Sequence, residues 1–210
     1  MKSAMSLGMT LLACVVMLAC ACQIKEDGGP PIAPEASVDP ETALWQALAS
    51  PGHLGVMRHG LAGAPASGRP HDVHDPSTQG RLTQAGEAQA RMVGERLRQH
   101  GIVDAQVYSS RYCRAATTAR LLEVGSVTIV DALNVLEGDG RHQTEAVHRL
   151  VAGADIHRPL LLVSHQPNIA ALTGRIAQTA EIVVLRRDGD AMQVIGTLVT
   201  PVSADGTGAW

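Results

Sequence analysis

Four side chains of the sequence have types and positions that suit chemistry on an anion. His59 and His165 each come directly after a run of apolar residues, and Arg58 stands beside the first of them. Arg114 follows a third apolar run by a few residues. Neutral imidazole can attack phosphorus in line, and guanidinium groups neutralise the oxygens of a transferring phosphoryl group. These residues therefore indicate a pocket for a small dianion, with a histidine nucleophile.

The elements that must position these side chains alternate between strands and helices. Apolar runs of strand length lie at 53–59, 104–110, 126–133 and 159–165. Segments with helical periodicity lie at 40–48, 83–100, 111–124, 142–152 and 167–172. This alternation predicts an α/β fold, a three-layer sandwich whose mostly parallel central sheet is flanked by helices on both faces.

The predicted sheet brings the candidate residues together. A closing hairpin is expected around Asp188-Gly189, after the last of the alternating units. Ligands of such sheets bind beyond the carboxyl ends of the parallel strands. Because parallel neighbours end at the same edge, we expect the strand-end histidines and arginines to surround one hollow.

The first 22 residues form a unit apart from the folded domain. Lys2 is their single charge, and Leu7 to Ala21 is a nearly continuous apolar run that ends in small residues. A short basic start, an apolar middle and a small-residue end are typical of an export signal. The run is short for a membrane span, and an uncleaved N-terminal anchor is the alternative interpretation.

Three cysteines, Cys14, Cys20 and Cys22, lie in this unit, and the segment VMLACAC resembles a bacterial lipoprotein processing site. The resemblance implies an exported, periplasmic or envelope-anchored lipoprotein, with plain secretion as the alternative. Residues 23–39 are polar and rich in Pro and Gly, which predicts a flexible linker. Residues 40–210 then form the folded domain.

Composition restricts the classes of partner. Phe is absent and aromatic residues make up 2% of the chain, so the core must be aliphatic and few rings can stack on bases. The formal net charge of −3 also argues against a nucleic-acid partner. Cys113 is the single cysteine of the predicted domain, so no disulfide can form within it.

Four motifs follow the linker in order. They are RHG (58–60), LTQAGEAQA (82–90), SSRYCRAATTA (109–119) and VSHQ (163–166). In order and spacing they resemble the histidine phosphatase superfamily, also called phosphoglycerate mutase-like, over residues 53 to 173. The segment SHQPNIAALTG, together with the STQ-R-LT segment (77–83), resembles an exported bacterial branch of that superfamily.

The resemblance implies roles for the site residues. His59 would be the nucleophile that forms a phosphohistidine, and Arg58 would bind the phosphoryl oxygens beside Gly60. Arg114 would be the second phosphate-binding arginine. His165 would be the second pocket histidine, protonated to stabilise the transferring group. The resemblance implies no metal and no organic cofactor.

The function implied is that of an exported phosphomonoesterase, acting on a small phosphorylated substrate such as an envelope glycan phosphate. Contact with the membrane would come through the lipid anchor. Two alternatives stay open. One is a non-catalytic envelope protein that binds phosphorylated sugars or lipid headgroups. The other is phosphotransfer of the phosphoglycerate mutase type, against which an export signal argues.

The general acid departs from the family pattern. Many members carry a Glu after the third strand that protonates the leaving alcohol, and Val135 occupies that position here. Glu137 is the substitute that we expect to act as the acid, with Asp139 as the next candidate. Asp72 and Asp75, in the loop that follows RHG, are further alternatives.

That loop also contains a sequence that resembles a metal site. His71 and His74, with two neighbouring carboxylates, have ligand types that bind zinc. No cysteine or distant histidine set completes such a site, and a solvated loop that contributes to substrate selection is the preferred interpretation. Cys113, beside an arginine, is expected to pack as a small apolar residue.

Overall fold

A computed structural model of the protein describes residues 38–65, 72–189 and 191–200. The chain divides into two units, 1–37 and 38–210. The predicted export signal and nearly all of the predicted linker lie outside the described residues. Within the described ranges, no helix is both long and apolar enough to cross a membrane.

Six strands and five helices make up the described part of the domain. The strands are β1 (His53–Arg58), β2 (Gln106–Ser109), β3 (Val127–Ile129), β4 (Leu160–Ser164), β5 (Ile182–Asp188) and β6 (Ala191–Leu198). The helices are α1 (Pro40–Ala49), α2 (Gln84–Gln99), α3 (Cys113–Leu122), α4 (Arg141–Gly153) and α5 (Gln166–Thr173). Two short 3₁₀ turns, Pro76–Thr78 and Asp131–Leu133, complete the set.

The strands form one sheet in the order β3-β2-β4-β1-β5-β6. The first four strands of that order pair in parallel, and β5 and β6 form an antiparallel hairpin on the far side of β1. This arrangement confirms the predicted α/β class and the mostly parallel sheet. The predicted strand over 126–133 is shorter than expected. β3 pairs only with β2, which ends at Ser109, so the chain turns away after Ile129.

Helices cover both faces of the sheet. Alternate residues of β4 point to opposite sides, with Leu161 and Val163 in one core cluster and Leu160 and Leu162 in the other. The first cluster includes buried side chains from α1, α2 and α3, and the second includes those from α4 and α5. Nearly all of these side chains are aliphatic, as the composition predicts.

The register of the parallel strands aligns the ends that carry the candidate site. Arg58 pairs with Ser164 across β1 and β4, and Ser109 pairs with Val163 across β2 and β4. Beyond the last strand residues, the amide of His59 still donates to the carbonyl of Ser164 at 3.2 Å. The three strand ends therefore deliver their next residues to one edge of the sheet.

Two glycines allow the chain after β1 to pass close to α2. The hydroxyl of Thr83 caps this helix by accepting a hydrogen bond from the amide of Gly86 at 3.0 Å. A side chain on Gly60 would place its Cβ 2.5 Å from the carbonyl oxygen of Gly86. Because only glycine fits there, the RHG and LTQAG segments are held against each other.

Candidate active site

A hollow at this edge of the sheet contains the predicted nucleophile, His59. Its lining residues come from the ends of β1 and β2 and from the loops that face them. They are His59, Ala62, Gly63, Pro65, Gly80, Tyr112, Arg114 and Val135. Two of these residues, His59 and Arg114, have basic side chains. The other lining side chains are small, apolar or aromatic.

The hydrogen bonds of the His59 ring are those of a neutral imidazole. Its Nδ1 lies 2.8 Å from the carbonyl oxygen of Gly60, an acceptor, so Nδ1 carries the proton. The Nε2 lone pair then faces the hollow and accepts a hydrogen bond from Nε of Arg114 at 3.0 Å. The pKa of His59 is lowered to about 4, mainly by burial and to a smaller extent by the charges of Arg114 and Arg58, while the hydrogen bond to the Gly60 carbonyl opposes the change.

Arg114 lies in the first turn of α3 and connects the two histidines. Its Nε donates to His59, and its Nη2 lies 3.3 Å from Nδ1 of His165. Its guanidinium carbon stands 4.8 Å from the centre of the Tyr112 ring. Burial lowers the pKa of Arg114, yet an arginine stays charged at ordinary pH. A desolvated cation therefore points directly at the atom that would attack phosphorus.

His165 is buried, and its ring stands edge to face against the ring of His59, with centroids 5.2 Å apart. Its Nε2 lies 2.8 Å from the hydroxyl of Ser110, and its Nδ1 faces the guanidinium of Arg114, which can only donate. This pattern belongs to a neutral ring with its proton on Nε2. Protonation of Nδ1, the state that the family resemblance implies, requires the guanidinium to turn away.

Ser110 holds this ring in place. Its hydroxyl accepts from His165 and from the amide of Tyr112 at 3.2 Å, and it donates to the side-chain oxygen of Asn134 at 3.1 Å. The same oxygen of Asn134 accepts from the amide of Arg111 at 2.9 Å. The sequence alone does not identify Asn134 as a member of the site, because nothing in its pattern marks a contact over 24 residues.

Arg58 is half-buried beside the nucleophile. One terminal nitrogen donates to the carbonyl of Ala177 at 2.9 Å, which fixes the direction of the guanidinium. Its Nε is buried and has no hydrogen-bond partner among the described residues. A buried cationic donor without an acceptor is costly, so this atom suits an incoming anion.

Thr118 ties the nucleophile's loop to α3. Its hydroxyl accepts from the amide of Gly60 at 3.0 Å and donates to the carbonyl of Arg114 at 2.7 Å. This residue belongs to the RAxxTA segment, and its role follows from helical spacing, because residues four apart lie on one helix face. The bond fixes His59 relative to Arg114.

The structure places Val135 in the hollow and Glu137 outside it. Val135 lines the hollow beside His59, whereas Glu137 is exposed and lines a neighbouring depression with Asp131 and His142. The amide of Glu137 donates to the side chain of Gln143 at 2.8 Å, which holds the segment in this path. The charge of Glu137 nevertheless reaches Tyr112, where it adds to burial in raising the pKa of the phenol.

The other candidate acids have local partners. Asp139 pairs with exposed Arg141 at 2.6 Å, and hydrogen bonds from that arginine lower the pKa of Asp139. Asp72 accepts from the amide of His74, and Asp75 accepts from the amide of Ser77, so both carboxylates shape turns of the loop. None of these three carboxylates lines the hollow.

The loop after RHG is partly described. Gln79 is buried there and donates to the carbonyls of Asp72 and Val73, while its side-chain oxygen accepts from the amide of Cys113 at 2.7 Å. The loop is thereby fastened to the start of α3. His71 of the metal-like sequence lies outside the described residues, and the described residues contain no group of metal-ligand side chains.

Comparison with protein families identifies one match. Residues 54–138 match the model described as histidine phosphatase superfamily (branch 1). This range contains Arg58, His59 and Arg114, and ends before His165. No curated protein matches the chain.

Several solved structures of phosphatases have a similar fold. The protein histidine phosphatase SixA complexed with tungstate is 19% identical, with a TM-score of 0.54 over 70% of this chain and 96% of that one. A proposed α-ribazole-5′-P phosphatase from Escherichia coli K-12 is 18% identical, with a TM-score of 0.56 over 74% of this chain and 100% of that one.

A third solved structure extends this group. The mycobacterial glucosyl-3-phosphoglycerate phosphatase is 20% identical, with a TM-score of 0.52 over 69% of this chain and 97% of that one. At such identities the likeness shows the fold, and it agrees with the sheet order and the layers described above.

Proposed function

We propose that the chain, whose residues 54–138 match the histidine phosphatase superfamily (branch 1), hydrolyses a phosphate monoester through a phosphohistidine on His59. The family and its structural neighbours support phosphatase activity in general. The observation that carries the monoesterase mechanism is the orientation of His59. Its Nδ1 proton is bound to Gly60, its Nε2 lone pair faces the hollow, and its pKa is lowered to about 4.

The reaction has two steps. First, the Nε2 lone pair forms a bond to phosphorus while the P–O ester bond breaks, and the leaving oxygen departs with the bonding pair and takes a proton from solvent water. Next, a water oxygen bonds to phosphorus and gives one proton to solvent, the N–P bond breaks, and its electron pair returns to Nε2. Inorganic phosphate and a neutral His59 result, so the cycle closes without a cofactor.

The arginines and His165 bind the phosphoryl oxygens in this proposal. Arg114 already contacts Nε2, so a phosphoryl group that approaches His59 meets the guanidinium at once. Arg58 offers its buried Nε. When Arg114 turns toward the phosphoryl oxygens, Nδ1 of His165 is released, and protonation there supplies a further positive charge.

The side chains that line the hollow indicate what kind of leaving group the substrate carries. Its described lining contains Val135 and no carboxylate. We propose that the natural substrate has a leaving group that departs with little help from an acid, such as an aryl oxygen. Phosphohistidine is a second substrate of this kind to test, because one structural neighbour is the protein histidine phosphatase SixA.

The role of Glu137 as general acid stays a prediction. If Glu137 entered the hollow, Glu137→Gln would lower hydrolysis of an alkyl phosphate by about 10²-fold or more and affect para-nitrophenyl phosphate much less. Asp139→Asn is the matched control, because it removes a carboxylate two residues away that pairs with Arg141. Equal rates for the two variants on both substrates would exclude Glu137 from proton transfer.

The rival function is binding without turnover. The absence of an acid from the described lining favours it, whereas the free Nε2 of a neutral His59 favours catalysis, since binding alone requires no nucleophile. The rival predicts saturable binding of inorganic phosphate with no phosphate released from any monoester. Formation of 2-phosphoglycerate from 3-phosphoglycerate would instead indicate the mutase alternative.

The decisive experiment is hydrolysis of para-nitrophenyl phosphate with His59→Ala beside it. The wild type should turn over with and without EDTA, and the variant should lose at least about 10⁴-fold in kcat. His157→Ala is the matched control: this exposed histidine precedes β4 and lies at the opposite edge of the sheet from His165. A His59→Ala variant with near-normal turnover would rule out the mechanism.

We further propose that the enzyme is exported and lipid-anchored, on the basis of its first 22 residues and the VMLACAC segment. An envelope glycan phosphate would then be within reach, and its alkyl leaving oxygen would require an acid, such as Glu137, to enter the hollow. Metabolic labelling with palmitate tests this proposal. Label that is lost in Cys20→Ser or in Cys22→Ser identifies the anchored residue, and label in neither wild type nor variants argues for plain secretion or an uncleaved signal.

A further inference from the structure

Tyr112 is an unexpected component of the site. The sequence placed it at the start of a helix and gave it no role. In the structure it is the N-cap of α3 and 9% exposed, and its ring lines the hollow that contains His59. It is one of only two tyrosines in a chain without phenylalanine, so an aromatic ring at this position is a marked departure from an otherwise aliphatic protein.

The Tyr112 ring contacts both of the groups that bracket the nucleophile. Its face lies under the guanidinium of Arg114, with 4.8 Å between the guanidinium carbon and the ring centre. Its edge meets His165 in a T-shaped contact, with centroids 4.9 Å apart and planes at 71°. One rigid side chain therefore restrains the cation and the second histidine together.

Arg114 needs such a restraint. No ion pair between Arg114 and a carboxylate occurs in the described ranges, and its hydrogen-bond acceptors are the ring nitrogens of two histidines. A substrate must take the guanidinium from Nε2 of His59 before that atom can attack. An aromatic face attracts the cation without fixing its direction, so it allows this transfer while keeping the guanidinium in the hollow.

We propose that Tyr112 is a positioning residue, whose ring keeps the guanidinium of Arg114 in the hollow beside His59 while leaving it free to turn toward the phosphoryl oxygens. This inference rests on the proposed function for its catalytic consequence. Its structural content, that the ring supports oxyanion binding through Arg114, can be measured without turnover.

The role of the ring in positioning Arg114 is tested by comparing Tyr112→Phe with Tyr112→Leu in the purified full chain. The first variant keeps the aromatic face, and the second removes it. We expect Tyr112→Leu to bind tungstate and vanadate about tenfold more weakly, the size of one desolvated cation–π contact. We expect Tyr112→Phe to retain wild-type affinity, and kcat/KM for para-nitrophenyl phosphate to follow the same order.

Tyr108→Leu is the matched control. Tyr108, the other tyrosine, packs half-buried against the core cluster on the α4 and α5 side of the sheet. The Tyr108→Leu substitution should lower the melting temperature without changing the affinity for tungstate or vanadate. Equal tungstate affinity in wild type and Tyr112→Leu would overturn the proposal. A large loss in Tyr112→Phe would also overturn it, by assigning the effect to the hydroxyl group.

The failure of this inference can be told apart from failure of the proposed function. A wild type that binds tungstate but hydrolyses nothing refutes the phosphatase and leaves the binding comparison intact. A wild type that hydrolyses para-nitrophenyl phosphate, with Tyr112→Leu unchanged in both rate and affinity, refutes the role of the ring and leaves the phosphatase intact.

Discussion

Two clusters of the molecule combine an arginine, a histidine and an aromatic ring. The first connects α1 to α2. There the rings of Trp45 and His100 stack in parallel with centroids 4.7 Å apart, and Arg96 lies 5.4 Å above the Trp45 ring. Glu41 completes this cluster by pairing with Arg96 and accepting from the Trp45 indole at 3.1 Å. Its positive charge is therefore compensated.

The second cluster is the candidate active site, and it lacks that compensation. Arg114 stacks on Tyr112 and donates to two imidazoles, with no carboxylate partner in the described part of the chain. Burial and Arg96 lower the pKa of His100, and Glu41 opposes the change. At His59 no carboxylate opposes it. The difference indicates which cluster is structural and which is available to a substrate anion.

The largest difference between the two clusters is expected in kcat/KM when the arginine of each, Arg114 or Arg96, is replaced by alanine. We expect Arg114→Ala to lower kcat/KM for para-nitrophenyl phosphate by about 10²- to 10³-fold, as for other donors that stabilise a transition-state oxyanion. Arg96→Ala removes a cation from a similar aromatic contact and should leave kcat/KM unchanged. Comparable losses in the two variants, measured on folded protein, would contradict the distinction.

The pH dependence of kcat/KM gives a second test. Because the pKa of His59 is lowered to about 4, its neutral, nucleophilic form persists well below the usual histidine range. The acid limb of the kcat/KM profile should therefore fall through about pH 4. A limb at about pH 6.5 would show that the ring titrates as an exposed histidine does and that the described environment is wrong.

The same group should make stability depend on pH. Between pH 6.5 and 4 the unfolded chain protonates residue 59 while the folded chain does not, so stability present above pH 6.5 is lost as pH falls. The loss is on the order of 3 kcal/mol over that window. Urea unfolding of His59→Gln should show a shallower decline than the wild type, and identical slopes would argue against a buried neutral ring.

These contrasts also show what the sequence could predict. Strand ends that finish in His59 and His165 are visible as apolar runs, and parallel pairing follows from the alternation of elements. The meeting of the two histidines was therefore predictable, and the structure confirms it at 5.2 Å between ring centroids. The tautomer of His59 was not predictable, since it depends on the direction of the Gly60 carbonyl.

The positions that the sequence missed depend on backbone path rather than on residue type. Extended geometry would have put Glu137 on the same side as Val135. Instead, Glu137 is exposed beside a different depression, just before a turn in which Gly138 and Gly140 adopt positive φ angles. The position of the Tyr112 ring likewise depends on how the first turn of α3 is oriented, and no short-range sequence pattern predicts that orientation.

A carboxyl group placed in the hollow would make the site resemble the compensated cluster. Val135→Glu does this at a position that lines the hollow with Arg114. We expect the ratio of kcat/KM for an alkyl phosphate over para-nitrophenyl phosphate to rise about tenfold or more, because the group can protonate the leaving oxygen. Affinity for tungstate should fall at pH 7, because the carboxylate competes for the guanidinium.

Val135→Gln is the control for this substitution, since it has similar size and polarity without the acid. An equal loss on both substrates in the two variants would show that bulk, and not proton transfer, decides the outcome. A rise in the ratio with Val135→Glu alone would show that this position limits the present enzyme to good leaving groups.

The smallest effect is expected in the compensated cluster itself. Glu41→Gln keeps an acceptor for the Trp45 indole but removes the charge that pairs with Arg96. Because the Glu41 side chain is 52% exposed, the loss of stability should be less than about 1 kcal/mol. Asp39→Ala, which removes the side chain that caps α1, is the comparison and should lower the free energy of unfolding by more than Glu41→Gln does. Both are measured by urea unfolding, and kcat/KM should stay at the wild-type value in each. A change in kcat/KM with Glu41→Gln would mean that the charge on Arg96 reaches the phosphate hollow, and the two clusters would then have to be treated as one electrostatic unit.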